Sequence, residues 1–100
     1  MRGRRYGWPM RMNFHRLAYE ALEVCNALTL DAFRAFLAPA TPKPGGRALE
    51  IGAGNAALAI CLARDLGMQV EAVEVDMAVA ALAQSRIDAA GVEDRVTLSR

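Results

Sequence analysis

From Asn13 onward, apolar residues recur at spacings of three and four: Phe14, Leu17, Ala21, Cys25, Leu28 and Ala32. That period draws one apolar stripe along a helix. Asn13 is a suitable N-cap. Leu22, Leu30, Phe33 and Leu37 widen the stripe, and the whole of it, from Phe14 to Phe36, reads as core rather than as a partner surface. Thr29 and Asp31 are capping residues, so the stretch is either one bent helix or two short ones. Pro39, Pro42, Pro44, Gly45 and Gly46 end it as a connector. The pattern then changes. Ala48 to Ile51 reads as a short strand, and Asn55 to Leu66 as an alanine-rich helix ended by Gly67. Val70 to Val75 reads as a second strand. Ala78 to Ala90 is a helix with Val79, Leu82, Ala83, Ile87 and Ala90 on one face, stopped by Gly91. Arg95 to Leu98 opens a third strand. The order β-α-β-α-β predicts an α/β fold, with parallel strands, right-handed crossovers and helices on the faces.

Composition narrows the class. One hundred residues make one small domain, and 54% apolar residues with 23% charged ones exclude a disordered chain. A net charge of +1 gives no global pull toward nucleic acid or membrane. The charge is uneven, because Arg2, Arg4, Arg5, Arg11 and Arg16 all precede the first acid, Glu20. With Tyr6, Trp8 and Phe14 nearby, residues 1–12 form a flexible basic arm. A phosphate-touching role keeps RNA or a protein substrate in view, although a solvated terminus is the simpler reading. No apolar core of about 7–15 residues follows the arginines, and no apolar run approaches about 20 residues. The expectation is a cytoplasmic protein with no membrane partner. Cys25 and Cys61 lack CxxC partners and read as buried free thiols of a reducing compartment. His15, the single histidine, has no carboxylate or cysteine cluster beside it, so neither a base nor a metal site is expected there.

The chemistry concentrates in "ALEIGAGNAALAI", Ala48 to Ile60. Gly52 and Gly54 stand between strand and helix, where a sharp turn needs a backbone free of Cβ clashes. The following helix points free N–H groups at the loop, and the alanines at 53, 56, 57 and 59 keep its start slim. Gly52-x-Gly54-x-x-Ala57 satisfies the dinucleotide fingerprint. Glu50 argues against that ligand, since a carboxylate beside a pyrophosphate site repels it at close range. A ligand carrying an ammonium and a sulfonium would welcome the acid. At the end of the second strand, Asp76 is placed to accept from two ribose hydroxyls; Glu74 is its rival but falls inside the predicted strand.

"LEIGAGNA" followed by "VEAVEVDMAVAALA" resembles the first two motifs of the class I S-adenosylmethionine-dependent methyltransferases. The resemblance implies S-adenosylmethionine as cofactor, with the first motif on Glu50, Gly52, Ala53 and Gly54, the ribose acid at Asp76, and Met77 flanking the adenine. It also implies that residues 13–100 are the N-terminal half of a doubly wound parallel sheet, preceded by an N-terminal helix and continued in a longer protein. That half would hold the cofactor, while the substrate loops and any catalytic base would lie in the other. Ala56 replaces a glycine often found in the loop, and Ala78 replaces a helix-capping residue. The implied activity is methyl transfer to an unidentified acceptor, with a small molecule preferred. Without a fourth strand, the edge of the first is a pairing hazard, so self-association is a further expectation. Two alternatives stand: an NAD(P)-binding oxidoreductase fragment, and a non-catalytic cofactor-binding or scaffold module.

Overall fold

The structure, a computed structural model, describes residues 14–23 and 29–100. The basic arm of residues 1–12, the Asn13 cap, the His15 side chain, Cys25 and Leu28 lie outside the described residues. The elements run α1 (Phe14–Ala21), α2 (Leu30–Leu37), a 3-10 turn (Ala38–Ala40), β1 (Arg47–Ile51), α3 (Ala57–Leu66), β2 (Gln69–Val73), α4 (Met77–Ala90) and β3 (Val96–Ser99). Thr29 decides between one helix and two. Its backbone is extended, and its hydroxyl accepts from the Ala32 N–H at 3.1 Å, so a separate α2 starts there.

The three strands are parallel, in the order β1-β2-β3, with β1 at one edge. Ala48 faces Val70, Glu50 faces Ala72 and Val70 faces Val96. The fold is therefore α/β, the N-terminal half of a doubly wound sheet behind an N-terminal helix. Side chains alternate across the sheet. Val70, Ala72 and Val96 are buried beneath α3 and α4 with Ala59, Ala63, Ala83 and Ile87. Alanine at these contacts has no branch to hold helix and strand apart, so the layers close tightly.

Ile87, on α4, is the largest fully buried side chain. Its replacement by alanine leaves a cavity that neighbouring alanines are too small to fill. Ile87→Ala is expected to destabilise the fold by about 2–5 kcal/mol, measured by urea unfolding. Against a typical domain stability of about 5–15 kcal/mol, that is a large fraction.

The helical stripe ahead of β1 is not all core. Phe33 and Leu37 pack against the core, but Leu17, Leu22 and Phe36 are exposed, and α2 has no buried residue. A polar contact adds to the anchoring of α2: Arg34 reaches Asp65 on α3 at 2.7 Å and holds that carboxyl below the usual carboxylate range.

On the far face, Arg47, Leu49, Ile51, Gln69, Glu71, Thr97 and Ser99 are all exposed. Parallel sheets are ordinarily covered on both faces. Here Ile51 is 78% exposed.

Candidate functional site

The site begins where β1 stops. Gly52 and Gly54 adopt φ of +76° and +59°, the left-handed region in which a side chain is strained. The turn brings two amides onto one acceptor: Gly52 and Ala53 both donate to the Val73 carbonyl at the end of β2, at 2.8 and 2.9 Å. Ala56 takes the same left-handed geometry, at φ +68°. Its methyl is fully buried, so alanine keeps the helix close, as expected, but at the cost of backbone strain that glycine would not carry.

Glu74 differs most from the sequence reading. β2 ends at Val73, so Glu74 lies just beyond the strand and not inside it. It is only 9% exposed, and each of its oxygens accepts a backbone N–H: Oε1 from Gly54 at 2.9 Å and Oε2 from Asp76 at 3.0 Å. The sequence carries strand-forming valines at 70, 73 and 75, so β-propensity runs past the last ladder position at Val73.

Asp76 is the N-cap of α4. Its Oδ1 accepts from both Ala78 and Val79 at 3.0 Å. It therefore supplies the cap that Ala78 does not. Met77 follows in the first turn, 69% exposed. It borders a groove of about 250 Å³ with Ala80, Ala81, Leu98 and Arg100, between the start of α4 and the end of β3.

Glu50 points to the helix-covered side of β1. Among the described residues, its Oε1 is a buried side-chain oxygen with no hydrogen-bond partner. Desolvation pushes its carboxyl up to about 7, and the Ala59 backbone N–H pulls it only partly back. A buried, partnerless carboxylate oxygen calls for a cationic donor.

Asn55 escaped the sequence reading except as the start of a helix. It is 1% exposed. Its Nδ2 donates to the carbonyls of Leu22 at 2.8 Å and Tyr19 at 3.2 Å, and its Oδ1 accepts from Ala57 at 3.1 Å. A polar residue between a turn glycine and a helix start was the available signal; its partners, more than thirty residues back, were not.

The arrangement is a poor phosphate cradle. The amides of Gly52, Ala53, Gly54, Ala56 and Ala57 are all bonded to protein acceptors, and two carboxylates flank the loop. It suits a neutral or cationic ligand with hydroxyls. Among the described residues, no cluster of His, Cys, Asp and Glu could hold a metal ion. Cys61 is buried and free, with its thiol pushed up by desolvation. No described helix is long and apolar enough to cross a membrane. A larger groove, of about 370 Å³, lies at the opposite ends of the strands, lined by Arg47, Gln69, Glu71, Arg95 and Thr97 among others. In open α/β sheets ligands bind outside the carboxyl ends of the strands, which is where the glycine loop and both glutamates stand.

Fold and loop together define the N-terminal half of a Rossmann-like domain. The chain matches no protein-family model and no curated protein. It does match solved structures. A methyltransferase from Geobacter sulfurreducens, solved with S-adenosyl-L-homocysteine, is 26% identical over 90% of this chain, with a TM-score of 0.74. Another from Thiobacillus denitrificans, with the same ligand, is 22% identical over 87%, with a TM-score of 0.77. The Haemonchus contortus phosphoethanolamine N-methyltransferase 2, in complex with S-adenosyl-L-methionine, is 27% identical over 85%, with a TM-score of 0.69. The chain thus has the Rossmann-like fold of the class I S-adenosylmethionine-dependent methyltransferases. It spans 36%, 35% and 20% of the lengths of these three chains, respectively.

Proposed function

We propose that the chain is the cofactor-binding half of a methyltransferase and that its ligand is S-adenosylmethionine. The observation that carries this reading is the partnerless buried oxygen of Glu50 beside a glycine loop whose amides are already bonded. Glu50 takes the amino group of the methionine part. Gly52, Ala53 and Gly54 line the backbone wall. Glu74, set by its bonds to Gly54 and Asp76, is the better placed acid for the ribose hydroxyls. Asp76 shapes that corner by capping α4, and Met77 with its groove flanks the adenine.

When bound, the cofactor supplies an electrophilic methyl group. This chain's residues fix the cofactor's position, and orientation of that kind is a large part of what such a reaction requires. The acceptor and any catalytic base belong to the complete protein. A small-molecule acceptor in the cytoplasm fits the near-neutral charge and the likeness to a phosphoethanolamine methyltransferase. The arginine-rich segment of residues 1–12 is a reason to test RNA and protein acceptors as well.

The bare sheet face and the β1 edge support a second property, self-association, since both leave Leu49 and Ile51 exposed. An oxidoreductase reading would need a site for a pyrophosphate, which Glu50 and Glu74 oppose. Calorimetric titration tests the assignment: S-adenosylhomocysteine is expected to give saturable heat and NAD none. Saturable heat with NAD alone would overturn it.

A further inference from the structure

The C-terminal turn of α1 ends in carbonyls that a helix cannot satisfy by itself. Two side chains from distant parts of the chain share them. Asn55, next to Gly54 in the glycine loop, donates its Nδ2 to the carbonyls of Leu22 at 2.8 Å, Tyr19 at 3.2 Å and Glu23 at 3.4 Å. Arg86, on α4, donates to the Leu22 carbonyl at 3.1 Å and to the Glu20 carbonyl at 2.7 Å. Both donors therefore meet on the Leu22 oxygen. A cation at the C-terminal end of a helix is favoured further by the helix dipole.

The other end of Asn55 is equally committed. Its Oδ1 accepts from Ala57, the first residue of α3, and the residue ahead of it is the glycine whose amide holds Glu74. The backbone on either side, at Gly54 and Ala56, is left-handed. A strained backbone persists only where its surroundings over-determine it. Here the surroundings include the end of α1.

We propose that Asn55 and Arg86 form a latch that makes the N-terminal helix a structural part of the glycine loop, so that the seating of α1 sets the loop's capacity to bind its ligand. Asn55 is thus a positioning residue, and Arg86 acts on the loop through α1 without touching it. This rests on the cofactor assignment for its binding readout alone.

The test uses Arg86→Met, which keeps an unbranched side chain on α4 and removes the donors and their charge. In the full 100-residue chain, amide hydrogen exchange is followed residue by residue without ligand, and S-adenosylhomocysteine binding is then titrated. The expected result is exchange at Gly52, Gly54 and Asn55 faster by roughly tenfold, together with faster exchange in α1, while the amides of β2 keep their protection. Affinity for S-adenosylhomocysteine is expected to fall about fivefold or more. Asn55→Asp, which keeps an acceptor for Ala57 but loses the amide donor, should reproduce both effects. Combining it with Arg86→Met should add little further, because both act on the same carbonyls.

Loop protection unchanged in Arg86→Met while α1 frays would overturn the latch and leave Arg86 as a local helix cap. If the unmodified chain gives no heat with S-adenosylhomocysteine, the cofactor assignment fails, and the exchange pattern still decides the latch. If Asn55→Asp proves too unstable to study, Arg86→Met decides it alone.

Discussion

Glu50→Gln is expected to make the chain more stable at about pH 8 and unable to hold S-adenosylhomocysteine. The two effects share one cause. In the free protein, desolvation lifts the Glu50 carboxyl from 4.5 to about 7. Below about pH 4.5 the group is protonated in both folded and unfolded chains, and its full contribution to stability is present. As pH rises toward 7, the unfolded chain releases the proton while the folded one retains it, so stability falls; above about 7 the loss is complete. The shift sets an upper bound of about 3 kcal/mol, which partial contact with solvent reduces to about half. Glutamine has no charge to bury and escapes the loss. Urea unfolding of both proteins at about pH 4 and pH 8 checks this: the variant should gain about 1–2 kcal/mol at the higher pH and nothing at the lower. The binding loss has the opposite sign. Removing the anion from a buried charge pair costs about 2–4 kcal/mol, or roughly 30- to 1,000-fold in affinity. Equal stability across the pH range, or undiminished affinity, would contradict the role given to Glu50.

The second large effect separates Glu74 from Asp76. Glu74→Ala removes the acceptor of two backbone amides, those of Gly54 and Asp76, and the carboxylate proposed for the ribose. It should lower stability by about 1–3 kcal/mol, the usual consequence of leaving buried donors unpaired, and bring ligand binding below detection. Asp76→Ala removes a helix cap. It should lower stability by about 1 kcal/mol and change affinity only modestly. Thermal unfolding and calorimetry on both variants read this directly. Affinity lost in Asp76→Ala and kept in Glu74→Ala would return the ribose role to Asp76.

The contrast between those two acids shows how far the sequence could be read. Pattern and punctuation gave every helix and strand from β1 to β3 to within two residues, because each segment buries one face and ends in glycine or a cap, whereas α2 stayed open between one bent helix and two short ones. The sharp turn at Gly52 and Gly54 was legible for the same reason: a strand running straight into a helix leaves few conformations open to it. Strand termini were harder. Val75 extends the run of strand-forming residues, but the ladder stops at Val73, whose carbonyl accepts from Gly52 and Ala53. Only the tertiary pairing reveals that stop, and two residues of error were enough to hide Glu74. Asn55 was illegible for a related reason, since its partners Tyr19 and Leu22 are 36 and 33 residues away. The exposure of Leu17, Leu22 and Phe36 could not be read from periodicity either, because a helical stripe shows which residues share a face and not whether anything covers it.

The uncovered face of the sheet gives the same lesson at the scale of the domain. Leu49 and Ile51 have the alternation of a buried strand, and their exposure follows from where the helices lie. The proposed cofactor corner draws its glycine loop, the end of β2 and the start of α4 from residues 50–79, and it reaches beyond them through Asn55 to the end of α1 and through the Glu74 N–H to the Ser99 carbonyl of β3.

That corner can be tested directly by following the backbone amide resonances of the chain while S-adenosylhomocysteine is added. The prediction is that the perturbed amides cluster at residues 50–56 and 74–78, with those of Arg47, Glu71 and Thr97 in the groove at the opposite ends of the strands unmoved. Perturbations confined to that groove, or none at any concentration that saturates a methyltransferase site, would contradict the account.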